Sequence, residues 1–155
     1  MTGQPRIRPA TRADVPAIVR LLADDVLGSQ RESTPNGQTV LPAYDAAFAA
    51  IAADPHQWLM VMELDGVVIG TLQLTLIPGL AHRGRWRGLV EAVHVDSRHR
   101  SKGYGEQLMH WAIAHAKDHG CGLVQLTSNQ VRTDAHRFYK RLGFVASHVG
   151  MKLAL

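Results

Sequence analysis

One stretch constrains the fold more than any other. LVEAVHVDSRHRSKGYGEQLMHWAIAHA, Leu89 to Ala116, carries an apolar strand-like run straight through a glycine-spaced basic turn into a long helical pattern. A strand that runs on into a helix needs that helix as a crossover, so its next neighbour arrives parallel, and the apolar run GLVQLTS after Gly120 supplies it. Gly120 itself reads as the stop of the long helix.

The segments before this unit read as antiparallel sheet and helix. WLMVMEL and VVIGTLQLTLI flank an Asp65-Gly66 turn, so they form a hairpin in which Leu72, Leu74 and Leu76 face one side and Thr71, Gln73 and Thr75 the other. Ahead of it, RIRPATR is a short strand and DVPAIVRLLADDVLG a helix, with Ile18, Leu21, Leu22 and Val26 at helical spacing, Asp14 as cap and Gly28 as stop. The polar run Ser29 to Pro42, with its Asn36-Gly37 turn signal, is a mobile loop, and AYDAAFAAIAAD is a second helix presenting Tyr44, Phe48 and Ile51. After the hairpin comes a basic loop, PGLAHRGRWRG. At the far end TDAHRFYKRL is a helix ended by Gly143, and FVASHVGMKLAL supplies the last strand. The order β α α β β β α β α β predicts an α/β (α+β) fold, a mixed sheet with helices on both faces.

Bulk properties narrow the class. At 155 residues, 46% hydrophobic and 19% charged, residues 1–155 suit a single globular domain rather than a disordered chain. The net charge of +4 is a mild bias toward anionic partners. Cys121, the lone cysteine, excludes an internal disulfide and gives no zinc spacing; with no apolar run long enough to span a bilayer, the expectation is a cytoplasmic protein without a membrane partner. His115 and His119 share a helix face but lack a third ligand at a fitting spacing, so no metal is expected. A nucleic-acid domain would need a basic helix or a sheet with exposed aromatics, and the scattered Trp58, Trp86 and Trp111 do not make one.

The turn DSRHRSKGYG has the spacing Arg-x-x-Gly-x-Gly from Arg100 to Gly105. Glycines there let backbone approach a ligand and expose the first amides of the helix, where the helix dipole favours an anion such as a pyrophosphate. The Walker loop fails, because Lys102 precedes its glycine; the dinucleotide fingerprint fails, because Leu108 stands where a third glycine belongs.

With that turn, the chain resembles the GCN5-related N-acetyltransferases over nearly its full length. IRPATRADVPAIVRLL is similar to the family's opening strand and helix, VHVDSRHRSKGYGEQLM to its acetyl-CoA loop, and DAHRFYKRLGF to its closing helix and strand; the C-terminal half further resembles aminoalkylphosphonate N-acetyltransferases. The resemblance implies a mostly antiparallel mixed sheet of six to seven strands, splayed between strands 4 and 5 and flanked by about four helices. It implies acetyl-CoA as co-substrate, with Val93, His94 and Val95 beside the pantetheine, and Arg100, Ser101, Lys102, Gly103, Tyr104 and Gly105 around the pyrophosphate. It implies a small-molecule amine acceptor, no nucleic acid, and a possible homodimer. One position departs: Arg132 stands where many members carry an asparagine that reaches the pantetheine, and Asn129 is the candidate to replace it.

An amine attacks a thioester only when neutral, and an alkylammonium has a pKa of about 10.4, so the site must remove a proton. If the strand is straight, Glu91 shares a side with Leu89, Val93 and Val95, where burial would raise its pKa toward that of a base; a bulge would exchange it for His94. Tyr139, where the family's general acid stands, is matched to protonating a leaving thiolate. For the acceptor, the family's architecture points to the loop from Ser29 to Pro42 and to the basic loop, whose Arg83 and Arg85 would hold an anionic group. A non-catalytic acetyl-CoA sensor is the rival reading.

Overall fold

A computed structural model describes residues 3–32 and 42–155. Five strands form one sheet in sequence order: β1 (Arg6–Pro9), β2 (Gln57–Leu64), β3 (Val67–Ile77), β4 (Trp86–Val95) and β5 (Cys121–Gln125). The first four pair antiparallel and β5 joins β4 in parallel, as a crossover through the long helix requires. The helices are α1 (Val15–Leu22), α2 (Val26–Arg31), α3 (Pro42–Ala53), α4 (Ala81–Gly84), α5 (Tyr104–Asp118) and α6 (Thr133–Arg141). Helix α4 is a single turn in which His82 and Arg83 take left-handed backbone angles.

The alternation in β3 works as expected. Leu72, Leu74 and Leu76 are buried and pack with Met62 and Val90 under Leu108, Met109, Ala112 and Ala116 of α5. Each such leucine contributes about 1.5–3 kcal/mol by leaving water. Close approach of α5 needs Gly88, where a Cβ would stand 3.1 Å from that of Ala116. On the other face, Thr75 and Gln73 donate to Gln57, and Thr71 donates to the Met60 carbonyl.

Three expectations are corrected. The helix from Asp14 does not run on to Gly28: it ends at Leu22, and Asp25 caps a new helix by accepting from the Gly28 amide at 2.5 Å. Gly28 lies buried inside that second helix, where a Cβ would strike the Leu22 carbonyl, so it is a packing glycine and not a stop. Asp14 does stand at the N-cap position of α1, but its side chain makes no capping bond to that helix. It closes the preceding 3-10 turn, Arg12–Asp14, by accepting from the Thr11 amide and hydroxyl, and the Arg8 guanidinium bonded to it holds its pKa down at about 2. Finally, FVASHVGMKLAL forms no strand, so the described residues hold five strands and not six or seven. Of the loop expected from Ser29 to Pro42, Ser29 to Arg31 belong to α2 and Pro42 to α3, and residues 33–41 lie outside the described residues.

Candidate active site

The strands β4 and β5 are partners only from Trp86 to Leu89, matched with Cys121 to Gln125. From Val90 to Val95, β4 keeps β3 on one side and has no strand on the other among the described residues. The unpaired backbone edge of β4 therefore lines a V-shaped opening, the splay between strands 4 and 5.

Within that stretch β4 is bulged. Glu91 pairs with Gln73 and His94 with Thr71, so Ala92 and Val93 together oppose Leu72, and Ala92 takes φ of 53°. The extra residue changes the parity of the strand. Glu91 and His94, which a straight strand would put on opposite sides, share the face that α1 covers, while Val95 turns toward α5. Glu91 is exposed, so the apolar surroundings expected for it are absent. His94 is half-buried: desolvation pushes its pKa below the ordinary histidine value, Asp25 opposes that shift, and the charges of Arg132, Arg100 and Arg31 add to it.

The basic turn closes the opening at its wide end. Ser101 has φ of 61° and Gly103 of 78°, and α5 begins at Tyr104 with no side chain capping it, which leaves its first-turn amides free to meet an anion. The two glycines differ in what they do. Gly103 supplies the left-handed conformation, with open space where a Cβ would stand, whereas Gly105 faces inward, 3.5 Å from the Phe138 ring at its Cβ position. Arg100 is already engaged: it donates to the Val95 carbonyl and to the Asp24 carbonyl, and lies 3.5 Å from the Asp24 carboxylate. Asp24 also accepts from the Ser97 amide, so the turn is braced against the junction of α1 and α2. Arg98 and Asp96 pair beside it, and that hydrogen bond holds the Asp96 carboxyl far below the usual range.

Helix α6 forms the second wall. Tyr139 packs edge-on against Phe138 and Phe144, and burial raises its pKa above 10 while the charge of Arg132 pulls the other way. Arg132, at the start of α6, pairs with Asp25 at 2.6 Å. Its charge acts on both His94 and Tyr139. Asn129 is used locally, its side chain accepting from the Val131 amide and its carbonyl from Arg132. The Asp25–Arg132 pair is the feature the sequence reading missed. Two adjacent aspartates inside an apolar helical pattern were the available signal.

Arg83 and Arg85 do not join this site. They lie where β4 begins, and about 23 Å of extended strand separates Arg85 from Ala92. The stem of Arg85 lies over Gly122 of β5. That end of the sheet is plugged by aromatic rings: His115 stacks on Trp111 and meets Trp58 and His119, and a cleft of about 270 Å³ runs between Pro55, His56, Trp58, Leu76, Trp86 and His119. No group of three metal-ligating side chains is found among the described residues. Nor is any helix there long and apolar enough to cross a membrane.

Comparison with known proteins gives the same picture. The model of the acetyltransferase (GNAT) family matches residues 23–144. The chain is 34% identical to the aminoalkylphosphonate N-acetyltransferase of Salmonella typhimurium over 113 residues, 73% of each chain. It is 28% identical to glucosamine 6-phosphate N-acetyltransferase 1 of Oryza sativa subsp. japonica over 151 residues, 96% of this chain and 86% of that one. A crystal structure described as a transcriptional regulator from Bacillus halodurans C-125 superposes with a TM-score of 0.93 at 42% identity, covering 98% of this chain and 100% of the other. The splayed sheet, the uncapped helix beyond it and these similarities together identify the chain as a member of the GNAT family, an acetyl-CoA-dependent N-acetyltransferase.

Proposed function

We propose that this protein, acting as one domain, moves the acetyl group of acetyl-CoA to the primary amine of a small anionic acceptor, by direct attack within a ternary complex. The observation that carries the reading is the parting of β4 from β5 directly before an uncapped helix N-terminus. A pyrophosphate fits that terminus, on the amides from Ser101 to Gly105 with Lys102 beside it, and the free edge of β4 near Val93 is suited to hydrogen-bond the pantetheine and the thioester carbonyl.

His94 is the better-placed base. Its lowered pKa leaves it neutral at pH 7, able to accept the proton that the amine must lose, directly or through water. Glu91 shares its face and is the second candidate, reaching through water from the exposed end. Tyr139, still protonated at neutral pH because burial raises its pKa, is suited to donate to the departing thiolate. As the amine nitrogen bonds the carbonyl carbon and the carbon–sulfur bond breaks, one proton leaves the nitrogen and one reaches the sulfur, so the balance closes.

An anionic acceptor is supported by the cations around His94. Arg132 and Arg31 face this region, and only one guanidinium nitrogen of Arg132 is committed to Asp25. The relatives named above act, by their names, on an aminoalkylphosphonate and on glucosamine 6-phosphate, both amines that carry a phosphorus anion. Arg132 and Arg31 take the role that Arg83 and Arg85 were expected to fill. The test is thiol release from acetyl-CoA against aminophosphonates, amino-sugar phosphates, amino acids, polyamines and lysine peptides. Phosphorylated or phosphonylated amines are expected to lead; polyamines leading would overturn the anionic acceptor.

The Bacillus halodurans relative's description favours one rival, a sensor that binds acetyl-CoA without turnover. Tight acetyl-CoA binding with no thiol released by any amine in that panel would decide for it.

A further inference from the structure

Helices α1 and α2 are separated by a sharp fold-back of the chain at Ala23, Asp24 and Asp25. Gly28 permits it, since a Cβ there would strike the Leu22 carbonyl. Asp25 is extended, with φ of −154° and ψ of 169°. In extended backbone neighbouring side chains leave on opposite sides, so two adjacent aspartates at this joint reach two different parts of the molecule.

Asp24 reaches the basic turn. Its carboxylate accepts from the Ser97 amide at 2.8 Å and the Ser97 hydroxyl at 3.4 Å, and lies 3.5 Å from the Arg100 guanidinium. Asp25 reaches α6. One of its oxygens accepts from the Gly28 amide at 2.5 Å, capping α2, and the other from Nη1 of Arg132 at 2.6 Å. The two arginines are used differently. Arg100 spends Nε on the Val95 carbonyl and Nη2 on the Asp24 carbonyl, so it shapes the turn. Arg132 has five N–H donors, and among the described residues its side chain gives one of them, to Asp25. Held at one corner, this guanidinium keeps its other N–H groups for a second anion, and its swing is restricted before that anion arrives.

We propose that Asp24 and Asp25 are positioning residues that divide the two substrates between them: Asp24 sets the acetyl-CoA turn through Ser97 and Arg100, and Asp25 holds Arg132 ready for the acceptor's anionic group. The second half rests on the reading given above, that Arg132 meets that group. Neither aspartate touches a substrate in this scheme. Because they act through different partners on different elements, a change at one leaves the other substrate's site as it was.

Steady-state kinetics and calorimetry on the intact chain test this. In Asp25→Asn the amide has one acceptor oxygen, which can cap α2 or hold Arg132 but not both. At saturating acetyl-CoA, that variant should raise the KM of glucosamine 6-phosphate or aminoethylphosphonate, whichever turns over faster, by about three- to ten-fold, as expected when one long side chain loses its restraint. Its Kd for acetyl-CoA should stay within about two-fold. Asp24→Ala should do the converse, weakening acetyl-CoA by about three- to ten-fold and leaving the KM of the amine within about two-fold. If Asp24→Ala misfolds, Asp24→Asn should shift the same constant in the same direction. Arg132→Met should raise the KM of the amine by more than Asp25→Asn does. A rise with Arg132→Met and none with Asp25→Asn would overturn the inference and keep the acceptor reading. No change with Arg132→Met, or no turnover of either amine, would remove that reading and the role of Asp25 with it. Equal changes in both constants from either aspartate variant would overturn the division, since both residues would then only hold the fold.

Discussion

The two ends of β4 are built from opposite materials. From Arg87 to Leu89 the strand has a partner on each side, glycine lets α5 settle onto it, and tryptophan and histidine rings fill the space around it. From Val90 to Val95 it has one strand partner among the described residues, a bulge at Ala92, and cations gathered around His94. The first end holds the sheet together so that the second can stay open. A strand edge left unpaired costs several hydrogen bonds, and the closed end together with the buried leucines beneath α5 supplies the stability that tolerates it.

If this division holds, changes at the open end should alter rate and affinity with little effect on melting, and changes at the closed end should do the reverse. The largest effect is expected at Tyr139. Tyr139→Phe should lower kcat by about a hundred- to ten-thousand-fold and leave acetyl-CoA affinity within a few-fold, measured by thiol release and calorimetry. Unchanged turnover would remove Tyr139 from the chemistry.

His94 comes next. Because its pKa is lowered in the folded protein, it is neutral at pH 7 and gains a proton only below its ordinary value near 6.5. Activity should therefore fall on the acid side of that value, and His94→Gln should reduce kcat by about ten- to a hundred-fold and flatten that limb. Stability follows the same sign. The unfolded chain takes up this proton at higher pH than the folded one, so the site destabilises the fold as pH drops below about 6.5 and has no effect above it. A profile unchanged by His94→Gln, read beside Glu91→Gln, would shift the base to Glu91.

The glycines of the turn sharpen the comparison further. Gly103→Ala forces a side-chain-bearing residue into a left-handed conformation costing about 1–2 kcal/mol, so the KM for acetyl-CoA should rise by about ten-fold. Gly105→Ala, whose Cβ would make an ordinary contact with Phe138, should change it by less than about three-fold. Equal effects would mean that both glycines serve the ligand. The smallest effect on chemistry is expected at the closed end. Gly88→Val crowds Ala116 and Leu74 and should cost about 1–3 kcal/mol in urea unfolding, with the KM for acetyl-CoA unchanged. A raised KM would show that the two ends are not independent.

Much of this was open to sequence reasoning wherever the signal is local. The Asp65-Gly66 turn fixes the hairpin, period-two leucines choose the face of β3, and the spacing of Gly103 before α5 marks the left-handed turn at the uncapped helix N-terminus. The misses share a cause. Nothing in LVEAVHV announces a bulge, since Ala92 is neither glycine nor proline, yet the bulge decides which side Glu91 faces. Gly28 looked like a helix stop because the collision it avoids is set by how the chain folds back at Asp24 and Asp25. Arg83 and Arg85 looked like acceptor ligands because charge is visible in a sequence while position along a sheet is not.

By itself, then, the sequence determined the β2–β3 hairpin, the buried face of β3, the passage from β4 through α5 to a parallel β5, and the family, because turn residues, periodicity and motif spacing act over a few neighbouring positions. Tertiary structure alone decided that His94 lies half-buried near Asp25, Arg132, Arg100 and Arg31, that Arg100 braces a loop, and that the C-terminal strand pattern finds no strand partner among the described residues. Those outcomes depend on contacts between residues up to 107 positions apart, as Asp25 and Arg132 are, and on the parity of a single strand, neither of which leaves a local trace.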